Sequence, residues 1–208
     1  MIRQQEVEIK LTLKGYGDYR KLLNHLGNPK SVEEQSNEFY DGSNKEIHHH
    51  SPNSTSKKGT FRIRFIENDK TCVVTHKGKG IMTSGVNSSE ETEEHIGYEK
   101  GKDILKDASL LDSFECDVVK HVKDAYQVKH FISLGGFKNH RSVYPWEGHK
   151  LEVDNTKYAF GENFEIEVET NEPDTFKSKL ESFLDGINVS YTDSKRSKFA
   201  NFINNSFQ

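Results

Sequence analysis

Two cysteines, four prolines, two methionines and a single tryptophan among 208 residues leave several protein classes without their raw material. A small secreted scaffold needs dense, paired cysteines and a metal knuckle needs closely spaced ones. Cys72 and Cys116 satisfy neither condition. They read as two reduced thiols of a cytosolic protein. Long apolar runs are missing too: nothing approaches the ~18 apolar residues of a membrane helix, and the N-terminus lacks the apolar stretch of a signal peptide. A cytoplasmic protein with no membrane partner is expected. Charge of one sign is also scarce, because the formal net charge is only −4. That value exerts no strong pull on nucleic acid or anionic lipid, although it conceals local clusters of both signs.

What is abundant is charge itself, at 30% of residues against 32% hydrophobic. Scattered charge at this level would approach the composition of a disordered chain. Here it alternates with apolar residues. Glu6-Val7-Glu8-Ile9-Lys10 places Glu6, Glu8 and Lys10 on one face of a strand and Val7, Ile9 and Leu11 on the other. The same period of two recurs in Arg62-Ile63-Arg64, Lys77-Gly78-Lys79, Lys150-Leu151-Glu152-Val153-Asp154 and Glu165-Ile166-Glu167-Val168-Glu169. Five such strands imply one common charged surface within a single domain spanning 1–208.

Along the chain, Gly15 to Gly27 holds Tyr19, Leu22, Leu23 and Leu26 at helical spacing between glycines. A polar strand, Val32 to Tyr40, ends at the Asp41-Gly42 turn. A long loop, about Ser43 to Gly59, carries His48, His49 and His50, which can bind metal adventitiously, a specific functional metal site being the weaker alternative. Thr60 to Ile66 and Thr71 to Lys79 pair as a hairpin across Glu67–Lys70. Gly80 to Ser89 reads as flexible. In the acidic run Glu90-Glu91-Thr92-Glu93-Glu94 the parity is open, since Glu91 and Glu93 share one face and Glu90 and Glu94 the other; a solvated acidic edge is the competing reading. Two helical segments fill Lys102 to Tyr126, the second with an apolar stripe of Val118, Val119, Val122 and Tyr126. His130 to Gly136, Phe137 to Tyr144 and Gly148 to Tyr158 read as a meander that turns at Gly135-Gly136 and at Pro145–Gly148. A strand over Glu162 to Thr170, a helix from Glu172-Pro173-Asp174 to Leu184, a short strand near Val189 and a helix over Ser194 to Phe202 complete it.

Eight or so antiparallel strands with one apolar face close most economically as a barrel or a strongly curved sheet. Helices would cover the apolar outside, and the charges would point inward. Clustered carboxylates, like clustered guanidinium groups, are unfavourable without counter-charge, so the interior must hold a ligand of both signs. A polyphosphate with a divalent metal qualifies. Arg62, Arg64, Lys77, Lys79 and Arg141 suit phosphate oxygens. Glu6, Glu8, Glu167 and Glu169 suit Mg²⁺ or Mn²⁺, which prefer carboxylate oxygen. A solvated face accounts for any one strand but not for acidic and basic strands that separate so cleanly.

Glu6-Val7-Glu8-Ile9-Lys10 resembles the E-x-E-x-K signature of the CYTH superfamily, the triphosphate tunnel metalloenzymes. Phe61–Arg64, Lys77–Lys79, Leu151–Asp154 and Glu165–Glu169 follow in that family's order, and Leu134–Phe137 through Arg141 to Lys157-Tyr158 is similar to the plant tripolyphosphatase branch. The resemblance implies a mainly β fold, an eight-stranded antiparallel β-barrel tunnel with a charged interior and peripheral helices. It adds Lys10 and Lys198 to the triphosphate ligands. It also implies water activation by Glu90 or Glu91 with Glu93, beside Glu6 and Glu8, and it makes Glu152, Asp154 and Glu165 further tunnel carboxylates. The implied activity is Mg²⁺- or Mn²⁺-dependent hydrolysis of inorganic triphosphate. Thiamine triphosphate, nucleoside or RNA 5′-triphosphate ends, adenylate cyclisation and non-catalytic polyphosphate binding are the alternatives. Nucleic acid would enter only as a 5′-triphosphate end, and protein partners are left open.

Overall fold

A computed structural model describes residues 2–49 and 58–207. In chain order its strands are β1 (Ile2–Leu13), β2 (Ser31–Gly42), β3 (Thr60–Ile66), β4 (Thr71–Lys77), β5 (Ile81–Thr83), β6 (Val86–Ile96), β7 (Phe131–Trp146), β8 (His149–Tyr158), β9 (Gly161–Glu169) and β10 (Tyr191–Asp193). The helices are α1 (Tyr16–Leu26), α2 (Tyr98–Lys106), α3 (Asp117–Tyr126), α4 (Pro173–Gly186) and α5 (Lys198–Asn204), with a 3₁₀ helix at Ala108–Ser113. The sheet runs β10-β1-β9-β8-β7-β2-β3-β4-β6-β5, and a further β1–β6 pairing closes its central eight strands into an antiparallel barrel. The architecture is mainly β, as the alternating sequence predicts.

Two compact units, each discontinuous in sequence, make up the chain. The first contains residues 1–5, 35–80 and 89–137. Its core follows from alternation on β3, where Phe61, Ile63 and Phe65 are buried while Arg62 and Arg64 occupy the opposite face. Against the apolar face pack Ile104 of α2, Leu111 of the 3₁₀ helix and the α3 stripe Val118, Val119, Val122 and Tyr126. Each large side chain so buried is worth ~1.5–3 kcal/mol relative to exposure. Cys72 and Cys116 lie in this core, not joined in a disulfide.

The second unit contains residues 6–34, 81–88 and 138–208. Ile9 and Leu11 of β1, Leu151 and Val153 of β8, and Ile166 and Val168 of β9 are fully or almost fully buried. Tyr19 and Leu22 of α1 and Phe176, Leu180 and Leu184 of α4 complete that core. α4 starts with Pro173 in its first turn, where a missing N–H costs nothing.

Several boundaries differ from the sequence reading. Residues 81–89, which read as flexible in composition, are paired: β5 and β6 form a hairpin in which Thr83 pairs with Val86, leaving Ser84 and Gly85 as the two-residue turn. Both have positive φ, 47° and 72°, as a type I′ turn requires. Gly135-Gly136 does not reverse the chain but lies inside the continuous 16-residue β7. A Cβ on Gly136 would sit 1.8 Å from the Asn37 carbonyl oxygen, so glycine there serves the close approach of backbone to backbone. The other expected turn, at Pro145–Gly148, is present and narrows to Glu147-Gly148, between the paired Trp146 and His149. The short strand is Tyr191–Asp193, after the buried Val189, and the last helix begins only at Lys198, where Ser197 accepts from Ala200 N at 3.2 Å as its N-cap. The first of the two expected helical segments starts earlier, at Tyr98, and the 3₁₀ helix separates it from the second.

Candidate functional site

Within the first unit, register places charged residues side by side. Arg62 of β3 stands opposite Thr75 of β4, which stands opposite Glu93 of β6; Lys77 stands opposite Glu91. This settles the parity of the acidic strand. Glu91 and Glu93 share the Arg62 face, whereas Glu90 is exposed on the other face and Glu94 accepts from Val118 N at 3.3 Å at the start of α3. Arg62 Nη2 lies 3.6 Å from Glu91 Oε1 and 4.0 Å from Glu93 Oε1, and Lys77 Nζ lies 3.2 Å from Glu91 Oε2. Thr75 donates its hydroxyl to Glu93 Oε1 at 3.0 Å. Arg64 Nε donates to Asn37 Oδ1 on β2 at 2.9 Å. Lys79, expected in the strand, lies two residues beyond the end of β4 and is exposed.

Three buried polar atoms on this face have no hydrogen-bond partner among the described residues: Arg62 Nε, Asn37 Nδ2 and Ser89 Oγ. Two of them can only donate. A buried donor without an acceptor costs roughly 1–3 kcal/mol, so donors gathered beside three basic side chains suit an anion that brings acceptor oxygens.

The second unit gathers a denser cluster. Arg141 of β7 donates through Nε and Nη2 to the two oxygens of Asp154 at 2.8 and 2.7 Å, and through Nη2 to Glu167 Oε2 at 2.6 Å. It also contacts Glu152 through Nη1. Lys10 Nζ reaches Glu167 Oε1 at 2.5 Å and Glu8 Oε1 at 3.3 Å. Lys198, at the start of α5, reaches Glu167 at 2.5 Å, Asp154 at 2.9 Å and Glu165 at 3.3 Å. Asn87 of β6 donates to Glu8 at 3.0 Å. Thus Glu8, Lys10, Arg141, Glu152, Asp154, Glu165, Glu167 and Lys198 come together. Glu169 is paired opposite Glu8 by register but exposed at the end of β9, and Glu6, on the Glu8 face, is half-buried.

Titration follows from this crowding. Burial alone would raise Asp154, but Arg141 and Lys198 outweigh it and hold the carboxyl at about 2. Burial is likewise overcome at Glu167, where Lys10, Lys198 and Arg141 keep it well below the usual range. Glu165 goes the other way: burial raises it, and Glu167 adds to the rise against the opposing pull of Lys198. Lys10, Lys198 and Arg141 are all raised, burial being outweighed by the carboxylates. Five carboxylates therefore face three cations, and Glu165 carries the uncompensated share.

A divalent cation fits this donor set chemically, since carboxylate oxygen is what Mg²⁺ and Mn²⁺ prefer and the surplus is anionic. The ligands do not stand ready for it, however: among the described residues no three ligating side chains converge on a metal position. Lys10, Lys198 and Arg141 stand among the carboxylates instead. The histidine loop gives no such set either. Asp41 accepts from Gly42 N and Ile47 N at 2.6 and 2.8 Å and contacts His48 Nδ1, which closes the turn after β2; His50 lies outside the described residues.

Sequence reasoning missed Asn37, Ser89, Asn87 and Thr75. Their signal was parity alone, each sitting two or four residues from a charged residue or paired across a strand from one.

The chain matches the CYTH domain over residues 4–200. It belongs to the CYTH family. A solved structure, described as the putative adenylyl cyclase HpAC1 from Hippeastrum with a dominant triphosphatase activity, is 33% identical, with a TM-score of 0.90 over 98% of this chain and 97% of that one. Putative adenylate cyclases from Bacillus halodurans (19% identical, TM-score 0.72, 95% and 98% covered) and Vibrio parahaemolyticus (14%, 0.59, 97% and 98%) share the CYTH fold. A search of curated proteins returns no match. No helix among the described residues is long and apolar enough to cross a membrane.

Proposed function

We propose that this CYTH protein hydrolyses inorganic triphosphate to phosphate and pyrophosphate in a reaction dependent on Mg²⁺ or Mn²⁺. The observation that carries it is the buried, unpaired Arg62 Nε among Arg62, Arg64 and Lys77, a donor set waiting for anionic oxygens. The triphosphatase activity ascribed to the Hippeastrum relative supports the reading. Arg62 and Arg64 bind phosphate oxygens through planar forks and Lys77 as a point charge; Lys79 remains a candidate where the chain leaves β4. Arg141, Lys10 and Lys198 hold the carboxylate cluster in place. Glu6, Glu8, Glu167 and Glu169 would hold the cation, with Glu152, Asp154 and Glu165 behind them. When bound, that cation would offset negative charge on the phosphoryl oxygens.

Water attacks the terminal phosphorus, the phosphoanhydride P–O bond breaks and pyrophosphate departs. Glu93, oriented by Thr75 and partly open to solvent, is assigned to take the proton of that water, with Glu91 fixed between Arg62 and Lys77. No thiol competes as nucleophile, because burial, the largest cause at each, raises Cys72 to about 12 and Cys116 to about 11.

Phosphate release from tripolyphosphate, ATP and thiamine triphosphate, each with Mg²⁺, Mn²⁺ or EDTA, tests the reading. Tripolyphosphate should be the preferred substrate, and EDTA should abolish turnover. Glu167→Gln should lower the metal-dependent rate roughly a hundredfold or more. Preference for an organic triphosphate, or an unchanged rate in this variant, contradicts the assignment.

A further inference from the structure

The sequence gives Asn37 no prominence, yet it is 1% exposed, on the strand face that carries Arg64 and Arg62. Its orientation is fixed by chemistry: a guanidinium only donates, so the amide oxygen must face Arg64 Nε, as it does at 2.9 Å. The amide nitrogen is then turned away from that contact, and it has no partner. β7 lies directly against the backbone at Asn37, with Gly136 so close that a Cβ there would meet the Asn37 carbonyl at 1.8 Å. Gly136, the second of two consecutive glycines that resemble a turn, thus brings β7 against the strand at this residue.

We infer that Asn37 is a further substrate-binding residue, which holds the Arg64 fork through Oδ1 and donates Nδ2 to an oxygen of the anionic phosphoryl chain. An amide N–H cannot ligate a metal cation, so its partner is an acceptor oxygen of the substrate. Because the amide does not titrate, its donor is present at every pH. The inference rests on the triphosphate reading proposed above.

A double-mutant cycle separates direct contact from action through Arg64. Tripolyphosphate affinity is measured by calorimetry in EDTA for the unsubstituted protein, Asn37→Ala, Arg64→Ala and the double variant. Asn37→Ala should weaken binding roughly five- to tenfold, and roughly threefold or more of that should persist in the Arg64→Ala background. A loss that vanishes in that background makes Asn37 only a support for Arg64 and overturns the direct contact. Should the alanine variant fold poorly, Asn37→Asp keeps the acceptor for Arg64 and removes the donor. It should retain the melting temperature of the ligand-free protein yet bind tripolyphosphate at least tenfold more weakly. Normal affinity in Asn37→Asp overturns the proposal. Absence of binding by the unsubstituted protein both in EDTA and with Mg²⁺ would instead overturn the triphosphate reading and Asn37's role with it, so the two failures are told apart by that arm.

Discussion

Asp154 shows how one side chain ties stability to pH. It is completely buried, bidentate to Arg141 and 2.9 Å from Lys198. Its pKa of about 2 lies below the ~3.9 of an unfolded aspartate, so its contribution is present above pH ~4 and is lost as pH falls toward 2. Glu165 has the opposite sign: with a raised pKa, it stabilises the fold most when protonated and loses that contribution as pH rises through its folded value. Thermal melts across pH 2–5 should therefore show a fall for the unsubstituted protein that is flattened in Asp154→Asn. At neutral pH the substitution should cost about 3–5 kcal/mol, because Arg141 and Lys198 lose a buried counter-charge. The charged residues of this cluster were legible in sequence because they alternate with apolar ones. Which carboxylate is held ionised was not, since that depends on Lys198, brought from the far end of the chain onto Asp154, Glu165 and Glu167.

At the scale of elements, strands were easier to read than the places where they stop. β3 and β9 appear in sequence almost at their observed bounds because alternation is a local property. The parity of β6 is not local; it is fixed by pairing with β4, which sets Glu91 against Lys77. Gly135-Gly136 illustrates a further limit. Consecutive glycines announce freedom of backbone, and Gly135 uses it at φ 81°, but sequence does not say whether the chain reverses or whether another strand comes close. Gly136→Ala should separate the alternatives. A turn glycine at ordinary φ would tolerate alanine, whereas a Cβ 1.8 Å from the Asn37 oxygen must displace backbone and should cost about 3 kcal/mol or more in urea denaturation. The same variant should weaken tripolyphosphate binding, because Asn37 moves with its strand.

For the whole molecule, the chain visits each unit more than once, and β1, β2, β6 and β7 each contribute residues to both. Composition turns this into an experimental advantage. Both cysteines lie in the helix-covered core of the first unit, and the single tryptophan, Trp146, packs edge-on against Phe176 with ring centroids 5.2 Å apart in the second. Without any engineering, thiol labelling reports the opening of one unit and indole fluorescence the loosening of the other. Because four strands would have to break along their length for the units to melt separately, the two signals should change together along a denaturant titration. A labelling rate that rises before the fluorescence changes would identify the first unit as the weaker one. The scarcity of cysteine and tryptophan thereby equips the protein with two spectroscopically distinct reporters at fixed addresses.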